Sequence, residues 1–361
     1  MAKIALKWVG IVLGAAVLAA VGLVGWLTVR EYKPAAVEDV EISRTGAPKT
    51  VVLSPGDSLT LLSQNTGYAG LGADSDFFMD GGKDVAPTRA QMNANLAGIS
   101  EFLEEKKVDV FFLQEVDTNS GRTKGVDQSE IYWHQLLSDG KGAYSSSHAL
   151  NYSCDFVPFP WPPIGKVHSG VQTLTRLHVD SAQRVALPCP FSWPVSAANL
   201  KRCLLVSRVP LEGKDKELVL VNLHLEAYDD GEGKAAQTKV LMDLLTDEYE
   251  KGNYVIAGGD FNQTFPGALD AFPIQDPSLW TPGVLEDGIL PEGWQFACGL
   301  TVPSCRLLDR PYNPADNQFY VIDGFILSPN VGLDKVETID RQFQYADHNP
   351  VLIQATLKEE P

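Results

Sequence analysis

The sequence predicts a four-layer α-β-β-α sandwich, two mixed sheets flanked by helices, preceded by one N-terminal transmembrane helix. Three observations predict it. Short runs rich in Val, Leu and Phe recur beyond residue 50, as strands of covered sheets do. Two longer stretches between them carry apolar residues at helical spacing, which places helices outside two strand sets. The amino end carries one uninterrupted apolar run.

That run, Trp8 to Val29, reads WVGIVLGAAVLAAVGLVGWLTV, with no charge and one hydroxyl. A helix of this length, at about 1.5 Å per residue, crosses a hydrocarbon core of about 30 Å. Lys3 and Lys7 precede it and Arg30 and Lys33 follow, so the flanking charge is nearly balanced. The free amino terminus tips the balance toward an amino end inside and the remainder outside. A cleaved signal peptide is the competing reading. Its apolar core is usually about 7–15 residues, shorter than this run, although the small residues near Ala19 suit a peptidase. Both readings send the rest of the chain out of the cytoplasm. Glu31 to Ala47, rich in charge, Pro and Ala, reads as a tether. The division is therefore an anchor at 1–30, a linker at 31–50 and one monomeric catalytic domain at 51–361.

Strands are expected at Ser58–Gln64, Val108–Leu113, Ser169–Thr175, Cys203–Ser207, Glu217–Leu225, Tyr254–Ala257, Phe319–Leu327 and Val351–Leu357. Thr88–Lys106 follows Pro87 and spaces Met92, Leu96, Ile99 and Leu103 as one helical face. Lys234–Glu250 repeats the pattern with Val240, Leu241, Leu244 and Leu245. Asn151–Pro163 and Asp260–Pro314 hold too many Pro and Gly for regular structure, and such loops commonly carry specificity.

Lys and Arg total 29 against 46 Asp and Glu, a formal net charge of −17. No basic stripe is present, which argues against non-specific duplex binding but leaves nucleic acid open where a metal mediates the contact. The five cysteines fit an oxidising compartment. Cys298 and Cys305 are close enough to close a loop, Cys154 and Cys189 flank a Pro-rich segment, and Cys203 reads as buried and free. No Cys-x-x-Cys pair supports a structural zinc site. A Gly-x-Ser-x-Gly elbow and a Gly-Lys-Ser/Thr phosphate loop are both absent.

The chemistry lies where polar residues meet strand ends. Asn65 ends SLTLLSQN, Glu115 ends VDVFFLQE, and His224 lies in LVLVNLHLE. Asp260 and Asn262 follow VIAGG, Asp323 lies in FYVIDGF, and Asp347 with His348 precedes the last strand. Charge at the end of an apolar strand is costly unless it is paired or bound to an ion. Hard oxygen ligands such as Glu115 and Asn65 suit Mg²⁺, with Mn²⁺ or Ca²⁺ as alternatives. Asp323–His348 or Asp260–His224 pairs would serve proton movement.

These segments, SQNTGY, LQEVD, NLHLE, GGDFN, VIDGF and ADHNP, together resemble the endonuclease/exonuclease/phosphatase superfamily, in its order, from Ser58 to Leu357. The resemblance implies a Mg²⁺-dependent phosphodiesterase or nuclease, with Glu115 as the main metal ligand and Asn65 and Asp347 close to the ion. It implies that Asp260 orients or activates water and Asn262 holds phosphate. His224 and His348 would contact the scissile phosphate, with Asp323 supporting His348. The substrate would be a phosphate ester: a lipid head group, nucleic acid or small metabolite. The insert GYAGLGADSDFFMDGGKD and the aromatic stretch 151–163 depart from the better-known members. Taken singly, GGDFN could be an ordinary turn and Glu115 a solvated strand end. A non-catalytic binding module on the same fold is the rival reading, and it would predict loss of the catalytic side chains.

Overall fold

The computed structural model describes residues 2–44, 51–137, 144–213, 215–229, 231–286 and 288–359. Helix α1, Ala2–Val29, is long and apolar enough to cross a membrane. Strands β1 (Val37–Asp39), β2 (Ile42–Ser43) and β3 (Ser58–Asn65) follow, then α2 (Arg89–Lys106), β4 (Val110–Asp117) and α3 (Gln128–Leu137). Next come β5 (Ser145–Val157), β6 (Gly165–Thr175), β7 (Ser181–Ala186), β8 (Cys203–Pro210) and β9 (Glu217–His224). After α4 (Glu232–Glu250) and β10 (Tyr254–Asp260) the pieces shorten: β11 (Gln263–Thr264), β12 (Gly283–Val284), β13 (Gln295–Ala297), β14 (Cys305–Arg306) and β15 (Phe319–Tyr320). The chain ends in β16 (Asp323–Leu327), β17 (Val331–Thr338) and β18 (Val351–Leu357).

One seven-stranded sheet runs β17-β18-β3-β4-β6-β5-β2 and the other β1-β7-β8-β9-β10-β16-β13. Each is mixed, with one parallel pair, β3 with β4 and β9 with β10. Those pairs need crossovers, and α2 and α4 supply them. Side-chain alternation then sorts the layers. On β4, Phe112 faces the other sheet among Leu61, Leu220, Ile256 and Phe325. Its neighbour Phe111 faces outward against Met92, Leu103 and Tyr132 of α2 and α3. Leu241 and Leu245 of α4 cover Val219, Val221 and Val255 on the far sheet. Each buried Leu or Phe contributes about 1.5–3 kcal/mol, so three continuous apolar layers fix the four-layer order expected from the sequence.

Helix α2 starts where its sequence says it should. Thr88 and Gln91 form a reciprocal capping box, and all four expected apolar positions are buried. Helix α4 starts two residues earlier than expected.

Several expectations need correction. Val37–Asp39 pairs with β7 and Ile42–Ser43 with β5, so the expected tether is partly stitched onto both sheets. Residues 45–50 of that stretch lie outside the described residues. Strand β5 continues to Val157 through a segment expected to be irregular, because its Ser- and Asn-rich sequence hides an alternating burial pattern. The single strand expected over 319–327 is two strands in different ladders. Strands β7 and β17 are additions to the expected set; β17 is an edge strand with several exposed residues and little apolar patterning. All five cysteines are free thiols, so neither Cys298 and Cys305 nor Cys154 and Cys189 are bridged.

The α4 end of the far sheet also carries an ion-pair cluster with a testable consequence. Glu248 accepts from both terminal nitrogens of Arg208, at 3.1 and 2.7 Å, and from Lys251 and Asn253 at 2.8 Å each. Burial alone would raise its carboxyl, yet these donors hold it down at about 2, from an ordinary 4.5. A depressed carboxyl stabilises the fold above the unfolded pKa and loses that contribution as pH falls toward its folded value. Glu248→Gln should therefore cost about 1–3 kcal/mol at pH 7. The gap to the parent should close between pH 4.5 and about 2, read as the thermal midpoint across pH. A gap that is constant over that range would show that ionisation is not what the cluster uses.

Candidate active site

The parallel pairs bring the carboxyl ends of β3, β4, β9 and β10 to one edge of the sandwich, the usual place for a site in such sheets. Asn65 ends β3 and spans the gap between the sheets. Its amide nitrogen donates to Glu115 Oε1 at 3.2 Å and to Asp260 Oδ2 at 3.0 Å, while its oxygen accepts from Gly67 N at 3.0 Å.

Glu115 owes its aim to a bulge. Leu113 pairs with Gln172 and Val116 with Gly170, so Gln114 and Glu115 together face a single residue of β6. Glu115 takes φ 55° there, a conformation that turns its carboxylate toward Asn65 instead of continuing the pleat. Nothing in a linear alternation pattern announces such a bulge.

Register does the rest. Asp260 lies opposite His224 on β9 and opposite Asp323 on β16. Gly259 permits the approach, since at φ 149° a Cβ would lie 1.9 Å from the Leu223 carbonyl oxygen. Asp260 Oδ1 then accepts from Asn262 N at 2.8 Å, an Asx turn that suits an Asn at φ 50°. The Asn262 amide donates to the Leu225 carbonyl at 2.8 Å, with a second N–H still available.

His348 sits above this line. Its Nδ1 lies 2.8 Å from Asp323 Oδ2, and its Nε2 lies 3.8 Å from Asp260 Oδ2 and from Asp347 Oδ2. His224 Nε2 lies 3.5 Å from Asp260 Oδ2. All eight residues expected from the sequence therefore converge, and among the described residues the ligand atoms of Asp260, Asp323 and His348 lie within 4.8 Å of one another.

The two histidines are electrostatically opposite. Burial, with Arg202 and His348 nearby, holds His224 well below its ordinary range. Burial would lower His348 too, but Asp323, together with Cys305 and Asp347, raises it well above. The shifts run in opposite directions, favouring the neutral ring at His224 and the imidazolium at His348. Burial and the Asp323 charge push Asp260 up to about 7, with His348 opposing. Burial pushes Asp347 to about 7 as well, with His348 opposing and Glu115 adding repulsion.

His348 pairs most closely with Asp323, at 2.8 Å, and stands 3.8 Å from both Asp260 and Asp347, so the site's four carboxylates have one imidazolium among them, with Arg306 also acting on Asp347, and positive charge is in deficit. Asp347 Oδ1 and Asp323 Oδ1 are both buried without a hydrogen-bond partner. A divalent ion fits that deficit: two carboxylates that repel one another, one with an orphaned oxygen, offer hard ligands and the missing counter-charge. Asn65 presents its N–H to Glu115 and Asp260, so in this arrangement it positions carboxylates rather than offering its oxygen.

Residues beyond those expected complete the site. Ser304 donates to Asp323 Oδ2 at 2.7 Å and accepts from the Ile322 and Asp323 amides at 3.0 Å, which locks the carboxylate against His348. It lies in a stretch with no periodicity, so no pattern signals it. Tyr228 donates to Asp80 Oδ1 at 3.1 Å, and the Glu115 and Asp347 charges are among the causes, after burial, that hold its hydroxyl well above the usual range. Asp80 belongs to the insert that follows Asn65, which therefore forms part of the site's wall. Arg122 stacks over Tyr68 at 3.7 Å and is doubly bonded to Asp117, fixing the loop after β3 against the end of β4.

A family model described as Endonuclease/Exonuclease/phosphatase family matches residues 72–341. The chain belongs to this family. Glu115, His224, Asp260, Asn262 and Asp323 fall inside the match; Asn65, Asp347 and His348 fall outside it and are joined to them by the contacts above. A search of curated protein sequences returns no match. Among solved structures, an endonuclease/exonuclease/phosphatase from Beutenbergia cavernae DSM 12333 is similar at 17% identity and TM-score 0.58, over 84% of this chain and 72% of that one. One from Bacteroides vulgatus is similar at 14% identity and TM-score 0.52, over 84% and 100%. ANGEL2, described as a 2′,3′-cyclic phosphatase in complex with adenosine-2′,3′-vanadate, is similar at 14% identity and TM-score 0.54, over 89% and 99%. As a member of the endonuclease/exonuclease/phosphatase family the chain is a phosphoester hydrolase, and enzymes of this family typically use a divalent metal.

Proposed function

We propose that the chain is a Mg²⁺-dependent phosphodiesterase, tethered by residues 1–30 so that its catalytic domain works outside the cytoplasm. The observation that carries the reading is the Glu115–Asp347 pair, two carboxylates that repel one another with one oxygen unpartnered, beside the Asp260–Asp323–His348 cluster. Glu115 and Asp347 would hold the ion, which when bound would neutralise phosphate oxygens. Asp260, with a carboxyl poised near neutrality, accepts a proton from water held against it. His348, kept cationic by Asp323, faces the charge that develops on phosphorus-bound oxygen, and neutral His224 donates or accepts at the opposite side of Asp260. Asn262 adds an amide donor from the turn. The Asp323–His348 link is the support expected for a group that must stay protonated.

Nucleic acid, lipid head groups and small metabolites all present a phosphodiester to such a site. The cyclic phosphate named for ANGEL2 is one member of that chemical class, and a fold shared at 14% identity does not choose among them. Full-length protein in detergent should hydrolyse bis(p-nitrophenyl) phosphate with Mg²⁺, stop with chelator, and prefer one of plasmid DNA, phosphatidylcholine vesicles or 2′,3′-cyclic nucleotides. Equal turnover with and without chelator would sink the proposal.

A further inference from the structure

The C-terminal turn of α1 does not leave the domain freely. Leu23 and Leu27 pack against Cys154, Val157, Val167 and Ala197, which belong to the β5–β6 hairpin and the loop before β8. Trp193 Nε1 donates to Thr28 Oγ1 at 2.9 Å, and Arg30 pairs with Asp155 at 2.7 Å. Around this junction, large apolar side chains face solvent: Trp161 is 89% exposed, Phe159 70%, Trp193 62% and Val195 56%. They come from two separate loops and surround one helix end, where a soluble protein would bury them or replace them.

Register shows which end of the molecule this is. Asp117, two residues past Glu115, pairs with Ser169, and the hairpin continues from Ser169 to its last pair, Gly165 with Val157. At about 3.3 Å per residue its tip stands about 13 Å beyond the catalytic edge of the sheet. Phe159 at that tip touches Phe78 of the insert that carries Asp80, with ring centroids 6.0 Å apart. The aromatic apron, the exit of α1 and the active-site mouth therefore share one end.

We infer that the Phe159–Trp161 tip and the Trp193–Val195 loop insert into the bilayer that receives α1, seating the active-site mouth against the lipid surface. The inference rests on the reading of α1 as a membrane span, and not on the metal chemistry. The occupant is a bilayer because the apron is continuous with the packed end of an apolar helix long enough to cross one. Aromatic rings beside such a helix belong at the headgroup boundary. The chain's charge of −17 would be repelled by anionic lipid, so the attachment is apolar and should persist at high salt.

The test reconstitutes the full chain into phosphatidylcholine vesicles with and without brominated acyl chains. Emission of Trp161 is obtained as the difference between the parent and Trp161→Phe, and that of Trp8, within α1, from Trp8→Phe. The expected result is that both difference signals lose at least about half their intensity in brominated vesicles, as rings at the acyl boundary should. High salt should leave the Trp161 loss unchanged. Quenching of Trp8 with none of Trp161 would overturn the seat and leave the span. Quenching of neither would overturn both, and quenching of Trp161 alone would overturn the span and with it the seat proposed here, showing peripheral attachment of the tip instead.

Discussion

Glu115→Ala is expected to lower Mg²⁺-dependent turnover by about 10³-fold or more, because an ion at this site supplies several kcal/mol of charge stabilisation and each 1.4 kcal/mol is tenfold. Its side chain is half-buried at a bulge and accepts its hydrogen bond from Asn65, so little packing is lost. The substitution also removes the charge that repels Asp347. Without metal, the variant should therefore melt no lower than the parent. Relief of about 1 kcal/mol would raise the midpoint by about 2–4 °C. A variant that loses activity and also melts well below the parent would mean that Glu115 is structural. One that keeps full turnover would remove it from the site. The stabilisation is the more informative half, since like charges held together at a cost are a mark of a functional site.

The second large effect belongs to His348. Its Nδ1 is held by Asp323, which is itself locked by Ser304, and the surrounding carboxylates keep the ring charged against the cost of burial. His348→Ala should cut kcat by about 10²–10⁴-fold, the range for a positioned acid or base. It should leave KM for a small phosphodiester nearly unchanged, because the group acts on charge that develops in the transition state. Steady-state kinetics on bis(p-nitrophenyl) phosphate separate the two parameters. A rise in KM with kcat preserved would reduce His348 to a binding group.

Much of this site is legible in the sequence because its residues end strands that are themselves legible. SLTLLSQ, VLVNLH and YVIAGG are dense in strand formers, so their pattern alone places Asn65, His224 and Asp260 at strand ends. The resemblance of the six segments to the family implies their roles, and the contacts put the residues together. What the sequence conceals depends on geometry that has no linear trace. The bulge at Glu115 reverses an expected side-chain direction. Ser304 reaches Asp323 because β14 pairs with β15, which leads into the Asp323 strand, while a bridge from Cys305 to His348 brings in the segment carrying that ring. The link that the Asn65 amide makes between Glu115 and Asp260 likewise has no linear trace.

The fold shows the same division. Central strands, apolar on both faces, form where expected, β3, β9 and β18 within one residue at each end, while β4, β6, β8 and β10 run three or four residues past an expected boundary. Strand β5 escapes the pattern because Ser145, Ser146 and Ser147 are buried through pairing with β6, where polar side chains find partners. The cysteines are unpaired, and spacing along the chain says nothing about which ladder each thiol joins. The insert after Asn65 departs from the better-known members, yet through Asp80 and Tyr228 it lines the site, and through Phe78 it touches the hairpin tip.

Glu115 and Asp347 form the proposed cation site, and Mn²⁺ reports on it directly. The free ion gives a strong paramagnetic resonance signal that vanishes on binding, so full-length protein can be titrated without any turnover. Saturable binding by the parent is expected, lost in Glu115→Ala and retained in His348→Ala. Equal binding by the parent and Glu115→Ala would contradict that assignment and move the ion to the Asp260–Asp323–His348 cluster.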